Sequence, residues 1–324
     1  MTDLQHHFVT TNGIKLHYVE QGSGPLVVLC HGWPESWYSW RHQIPALAAA
    51  GFRAVAPDQR GYGQTEAPEA IDSYNILSLV GDMVGLVGGL KESRAIIVGH
   101  DWGAPVAWHS SLLRPDIFRA CALLSVPYMP RGPIRPSIGW KALEGTDKNF
   151  YQSYFQEPGR VEKELEADPR RSMAMMLYGA SGDPPPEERW QFLFPRSKKF
   201  IESGVVPKKL PAWLKEADLE FFAAEFKRAG FRGGINWYRN FDRNWELTGF
   251  LDGAKLRQPS LFAVGEHDVV ITMLAMIGGD ARKIVAASMP DCRTIKIIPD
   301  AGHWIQQERP QQINQLLVDF AKGL

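Results

Sequence analysis

Cysteine is scarce in this chain of 324 residues: Cys30, Cys121 and Cys292 make an odd number and have no metal-ligand spacing. Two of them lie in apolar, strand-like runs and read as reduced core residues, which excludes a disulfide framework and points to the cytoplasm. Neither sign of charge is in excess. Lys plus Arg number 36 and Asp plus Glu number 36, so no net field gathers a polyanion or an acidic lipid surface, and neither nucleic acid nor membrane is an expected partner. Long hydrophobic runs are missing too. None approaches the roughly 18 residues of a membrane-spanning helix, and the opening MTDLQHHFVTTNG lacks the basic-then-apolar pattern of an export signal. Internal repeats, long blocks of like charge and a lysine-bearing phosphate loop are likewise absent. The expectation is a chain without metal or cofactor, working as a monomer or homodimer.

What is present is material for a large core, with 44% hydrophobic residues. The first ninety residues alternate short apolar runs with helical patterns, as a mostly parallel sheet flanked by helices requires. Gly13-Ile14-Lys15-Leu16-His17-Tyr18-Val19 alternates like an edge strand, whereas PLVVLC (25–30) and FRAVAPD (52–58) are continuous apolar runs suited to burial on both faces. Residues 73–90 carry Ile76, Leu77, Val80, Met83, Val84 and Val87 at helical spacing. A strand at 94–98 (RAIIV), a helix over 104–113 and a strand at 120–126 (ACALLSV) follow. MPRGPIRP, beginning at Met129, can continue neither strand nor helix. Beyond it the chain shows helical stretches rich in Met, Phe, Tyr and Trp until strand texture returns at 260–266 (SLFAVGE) and 294–300 (TIKIIPD), and a helix over 311–321 closes it. The expected architecture is α/β: a core of 1–129 and 250–324, with a helical cap of 130–249 inserted.

Gly99-His100-Asp101-Trp102-Gly103 stands between a buried strand and a helix, with glycines two before and two after its centre. That spacing predicts a nucleophile elbow, a sharp strand-to-helix turn projecting one side chain from the sheet edge. The helix that follows offers free N–H groups and a positive dipole end, which favour a carboxylate there as an anion. The bland alternative is that Asp101 only caps that helix. An aspartate displacing a leaving group at saturated carbon makes an ester whose carbonyl belongs to the protein, so water can cleave it on the protein side. Suitable substrates carry an electrophilic sp3 carbon, either a carbon–halogen bond or a strained epoxide.

His303, in Ala301-Gly302-His303-Trp304 after the strand at 294–300, is the expected general base, while His100 should point away along its strand. Asp268 is the expected orienting acid, with Glu266 as the alternative, and the chain order nucleophile, acid, histidine suits the elbow. His31-Gly32-Trp33-Pro34 places a turn beside the elbow, where the Trp33 N–H and the Trp102 N–H can receive an oxyanion. His31, Pro34 and Trp37 are expected in the substrate pocket next to them, with Trp33, Trp37 and Trp102 lining its apolar wall or packing in the core. Asp58-Gln59-Arg60-Gly61-Tyr62-Gly63 reads as a loop-bracing turn.

HGWPESWYSWR, DQRGYGQT, VGHDWGAPVAW, YQSYFQEPG, LPAWL, GINWYRN and DAGHW together closely resemble the soluble epoxide hydrolases of the α/β-hydrolase superfamily, over nearly the whole chain. The resemblance implies a small hydrophobic epoxide and water as substrates. It also implies two lid tyrosines that hold the epoxide oxygen, falling on Tyr151 and Tyr238. Tyr154, three residues after Tyr151, is the alternative first tyrosine and otherwise a pocket residue. A phenol with its ordinary pKa near 10 can protonate the far more basic alkoxide without being ionised beforehand. Two rivals share parts of this pattern. A haloalkane dehalogenase would use the same Asp101 and His303 but typically has asparagine where Trp33 stands, and a non-catalytic hydrolase-like receptor usually keeps a serine or loses a triad member.

Overall fold

The strands buried on both faces form where the sequence runs apolar without interruption, and helices where the apolar positions recur every three or four residues. The computed structural model describes residues 4–324; the first three residues, part of the opening stretch and of the core segment 1–129 considered above, lie outside the described residues. The opening strands are β1 (Gln5–Thr11), β2 (Ile14–Gln21), β3 (Leu26–Cys30), β4 (Arg53–Pro57), β5 (Ala95–His100) and β6 (Phe118–Leu124). The three-residue strands β7 (Lys148–Phe150) and β8 (Leu193–Pro195) pair only with each other. Strands β9 (Ser260–Gly265) and β10 (Cys292–Ile298) complete an eight-stranded sheet ordered β1-β2-β4-β3-β5-β6-β9-β10.

Within this sheet, among the described residues, every pairing along the order from β4 to β10 is parallel, and β1–β2 and β2–β4 are antiparallel. The edge strand is therefore β1, not the alternating segment beginning at Ile14, which lies second. Its residues QHHFVTT are exposed or half-exposed along their length, so no apolar pattern announced it. Along β3 the side chains of Leu26, Val28 and Cys30 enter one core cluster and those of Val27 and Leu29 the other, the two-fold alternation of a strand covered on both faces. One cluster holds the sheet against the helix Pro310–Lys322 through Ile313, Leu317 and Phe320. The other runs from the sheet through the helix Ile76–Gly89 into the segment between β6 and β9.

That segment adds no strand to the large sheet among the described residues. It is mostly helical, including Pro169–Gly179, Glu216–Ala229 and Arg232–Tyr238, and it lies against the carboxyl ends of the parallel strands. Tyr38 and Arg41 after β3 tie it down: the Tyr38 hydroxyl donates to Asp218 Oδ1 over 2.9 Å, and the Arg41 guanidinium lies 3.2 Å from the same oxygen. No helix among the described residues is long and apolar enough to cross a membrane.

Candidate active site

Five adjacent parallel strands end at one edge, and the residue or loop following each contributes to one cluster of polar groups there. After β3 comes Trp33, after β5 Asp101, after β6 Ser125, after β9 Asp268 and after β10 His303. Open α/β sheets place their sites at the carboxyl ends of strands for this reason: short loops from many strands meet there.

Asp101 has a positive φ of 48°, the left-handed region that costs a side-chain-bearing residue about 1–3 kcal/mol. The turn is tight enough that glycine is obligatory around it. A methyl on Gly99 would strike the Gly103 carbonyl, one on Gly103 the Cys30 carbonyl, and one on Gly32 the Asp101 carboxylate itself. The helix Gly103–Leu113 begins two residues on. Asp101 is thus thrust out of the sheet, and the Trp33 N–H donates to its Oδ1 over 2.7 Å. The Trp102 N–H makes no such bond among the described residues, so of the two expected oxyanion donors only Trp33 already touches the carboxylate.

His303 faces Asp101 on one side and Asp268 on the other. Its Nε2 is 3.5 Å from Asp101 Oδ2, and its Nδ1–H donates to Asp268 Oδ1 over 3.0 Å. Asp268 is fully buried, also caps the helix Val269–Met276 by accepting from Val270 N–H, and leaves Glu266 no part here. Glu266 instead accepts the Asp300 N–H at the surface. Burial disfavours a charged imidazole, but the Asp268 and Asp101 carboxylates outweigh it and hold His303 well above the ordinary histidine range.

Two contacts to this histidine had no sequence signal. The Ser125 hydroxyl is 2.9 Å from Nδ1 and shares its proton with Asp268. His100, pointing away from the cavity as expected, sends its Nε2–H to the His303 carbonyl over 2.7 Å and faces Glu35 with Nδ1 at 2.9 Å. Glu35 in turn accepts the Gly32 N–H. This buried pair therefore braces the Trp33 turn against the His303 loop. Burial alone would raise the Glu35 carboxyl, yet His100 and these hydrogen bonds carry it down to about 2.

From the inserted segment, Tyr151 and Tyr238 stand opposite Asp101 with ring centroids 5.8 Å apart. Burial, together with the nearby Asp101 charge, pushes both phenols above the ordinary tyrosine range, so both keep their protons at neutral pH. Gln152 Nε2–H donates to the Tyr151 oxygen over 2.8 Å and leaves the phenolic proton free to be given. The cavity between these groups measures about 40 Å3 and is walled by Trp33, Pro34, Met176, Trp190, Phe200 and Met273, among others.

Three expected pocket residues lie elsewhere. Tyr154 donates to Glu164 Oε1 over 2.5 Å and packs on Phe194, because it sits at the far end of a single helical turn and faces the segment's own interior. His31 is fully buried behind the Trp33 turn, its Nδ1 2.8 Å from the Gly32 carbonyl and its Nε2 accepting the Gln59 N–H. Trp37 packs against His6, Tyr38 and Phe221, and its backbone N–H donates to Asp58. Trp102 also stays off the cavity wall but supports it, edge-on to Tyr238 at 5.2 Å. The Asp58 turn is structural as expected: its carboxylate takes N–H groups from Trp37 and Gln64 and pairs with buried His17 at 2.7 Å.

This arrangement has counterparts among known proteins. The family described as alpha/beta hydrolase fold matches residues 25–310. The chain is 44% identical to epoxide hydrolase A of Mycobacterium tuberculosis (strain ATCC 25618 / H37Rv), over 98% of this chain and 97% of that one. It is 40% identical to epoxide hydrolase 3 of Siraitia grosvenorii, over 99% of each. Among solved structures, an epoxide hydrolase from an endophytic Streptomyces superposes with a TM-score of 0.94 at 48% identity, covering all of this chain and 96% of that one.

Proposed function

Because this chain belongs to the α/β-hydrolase family, and within it to the epoxide hydrolases, we propose that Asp101, His303, Asp268, Tyr151 and Tyr238 divide the hydrolysis of an epoxide into two half-reactions. The enzyme converts epoxides to vicinal diols. The observation that carries the assignment is a carboxylate, an imidazole and two protonated phenols facing one small apolar cavity.

In the first half-reaction an Asp101 oxygen attacks an epoxide carbon from the side opposite the tyrosines. The C–O bond breaks, and the leaving oxygen takes a proton from one phenol while the other hydrogen-bonds to it. In the second, His303 removes a proton from water, and the resulting hydroxide adds to the Asp101 ester carbonyl. The oxyanion forms on the oxygen that the Trp33 N–H already meets, with the Trp102 N–H as second donor. Collapse expels the diol. Of the two water protons, one ends on the second diol oxygen and the other restores the phenol. Asp268, with Ser125, holds the imidazole tautomer. Residues 130–249 serve as the cap that brings the phenols to the sheet edge, on a core of 1–129 and 250–324. Free buried Cys30 and Cys121 suit a reducing cytoplasm, and monomer or homodimer both fit the chain.

Labelled water tests the ester. One turnover in 18O-water is expected to leave the label in the Asp101 carboxylate, since the second diol oxygen, released by hydrolysis, comes in that turnover from the enzyme. Peptide mass spectrometry reads it, and label found only in the diol would mean direct attack of water and no ester.

A second expectation concerns pH. Two carboxylates raise the His303 pKa in the free enzyme, and esterification of Asp101 removes one of these charges. The imidazole of the ester therefore titrates lower than that of the free enzyme and is released as a base when it is needed. Hydrolysis requires the neutral form, so its single-turnover rate should rise with pH through a midpoint below the His303 midpoint measured by NMR in the free enzyme. Equal midpoints would show that Asp101 does not set the charge of His303.

A further inference from the structure

Glu308 is a buried carboxylate without a cation partner among the described residues. It accepts three backbone N–H groups instead, each at 2.9 Å: those of Gly182 and Gly302 on Oε2 and that of Trp304 on Oε1. Gly302 and Trp304 flank His303. Gly182 belongs to the inserted segment, 126 residues away from Glu308. The same two stretches are joined by further bonds, His303 N–H to the Ala180 carbonyl over 2.8 Å and Trp304 Nε1–H to the Leu177 carbonyl over 2.9 Å. They touch backbone to backbone, for a methyl on Gly302 would collide with Ser181 and one on Gly182 with the Asp300 carbonyl.

We propose that Glu308 is a positioning residue for the hydrolytic half-reaction, locking the loop that bears His303 onto the cap turn 180–182. The inference rests on the reading of His303 as the base that directs water at the Asp101 ester. A carboxylate can take N–H groups on both oxygens at once, which is what two donors on one side and one on the other require. An amide cannot. With its oxygen toward Gly182 and Gly302, the amide NH2 faces the Trp304 N–H; turned over, it faces the other two. Either orientation leaves a buried donor against a donor and moves the loop. Alkylation uses Asp101 and the tyrosines and tolerates such a shift, whereas water delivery by His303 depends on placement within fractions of an ångström.

The test is Glu308→Gln in the full chain, followed by stopped-flow alkylation and hydrolysis with styrene oxide and by hydrogen exchange. The expected result is a hydrolysis rate lowered about 10- to 100-fold with alkylation changed far less, so that the Asp101 ester accumulates. Exchange at the Gly182, Gly302 and Trp304 amides should quicken together. Gly182→Ala, which pushes the two backbones apart from the cap side, should reproduce the selective loss of hydrolysis and stands in if Glu308→Gln does not fold. Hydrolysis at the wild-type rate in the folded variants, or alkylation and hydrolysis falling by one factor, overturns the proposal. His303→Gln separates this failure from failure of the underlying reading: ester accumulation in His303→Gln but not in the Glu308 and Gly182 variants sinks only the role of Glu308, while normal turnover by His303→Gln sinks both.

Discussion

His303→Gln is expected to alkylate once and then stop. The imidazole lies 3.5 Å from Asp101 and is held there by Asp268 at 3.0 Å, with no other base among the described residues of the cavity wall to replace it. Glutamine keeps the approximate shape and polarity of the ring but cannot accept a proton from water. A positioned general base contributes roughly 10²- to 10⁴-fold, and the whole of this loss should fall on hydrolysis, because attack by Asp101 needs no base. Mixing the variant with excess epoxide should give a burst of diol-free substrate consumption equal to the enzyme concentration. The intact mass should rise by the mass of one epoxide, and peptide mapping should find it on Asp101. Normal turnover with no adduct would remove His303 from its role.

The paired tyrosines carry the second large effect, and it falls on the other half-reaction. Tyr151 and Tyr238 face the same cavity with their protons retained by burial, and an epoxide oxygen between them would meet both phenols. Without a proton donor the opening ring must leave a free alkoxide in an apolar site, so Tyr151→Phe/Tyr238→Phe should alkylate roughly 10²- to 10⁴-fold more slowly than wild type. Either single change should cost less than half of that in free energy, since the remaining phenol still polarises the oxygen. The two changes should therefore be non-additive. An activated alkyl bromide offers a leaving group that needs no proton, and any slow alkylation of Asp101 by it should be little altered in the double variant. Pre-steady-state alkylation rates on variants shown to be folded by circular dichroism decide the matter. Epoxide opening by the double variant at near wild-type rate would show that the phenols only line the cavity.

How far these residues could be read from sequence depended on whether their signals were local. The elbow is local: two glycines, an aspartate, a strand before and a helix after fall within a few residues, and the left-handed φ of Asp101 follows from that crowding. Asp268 and His303 were legible because each lies in the loop after a recognisable strand at the same sheet edge. Tyr151 and Tyr154 were not separable, because the helix that holds them is only four residues long and both ends carry the same side chain. Trp37 and His31 were misplaced for a related reason. An aromatic next to an active loop can face either the cavity or the layer behind it, and composition is identical in both cases. Ser125 and Glu308 gave no signal at all, since Ser125 meets its histidine across 178 residues and Glu308 its cap partner across 126. Strand β1 escaped because backbone pairing with β2, over a register running from Gln5 with Glu20 to Thr11 with Ile14, holds it without an apolar face.

The small cavity is walled on one side by strand-end loops and on the other by Met176, Trp190 and Phe200 of the inserted segment. Of the reacting groups assigned above, only the two phenols hang from the same segment as those walls. A lineage under pressure to accept a new epoxide can therefore change the shape of the room at Met176 or Phe200 while Asp101, His303 and Trp33 stay as they are. Methionine is the more forgiving place to begin, as its unbranched, polarisable side chain refills irregular gaps. Drift in substrate range should accordingly accumulate as single steps in the insert, each separately survivable, rather than as coordinated changes at the sheet edge.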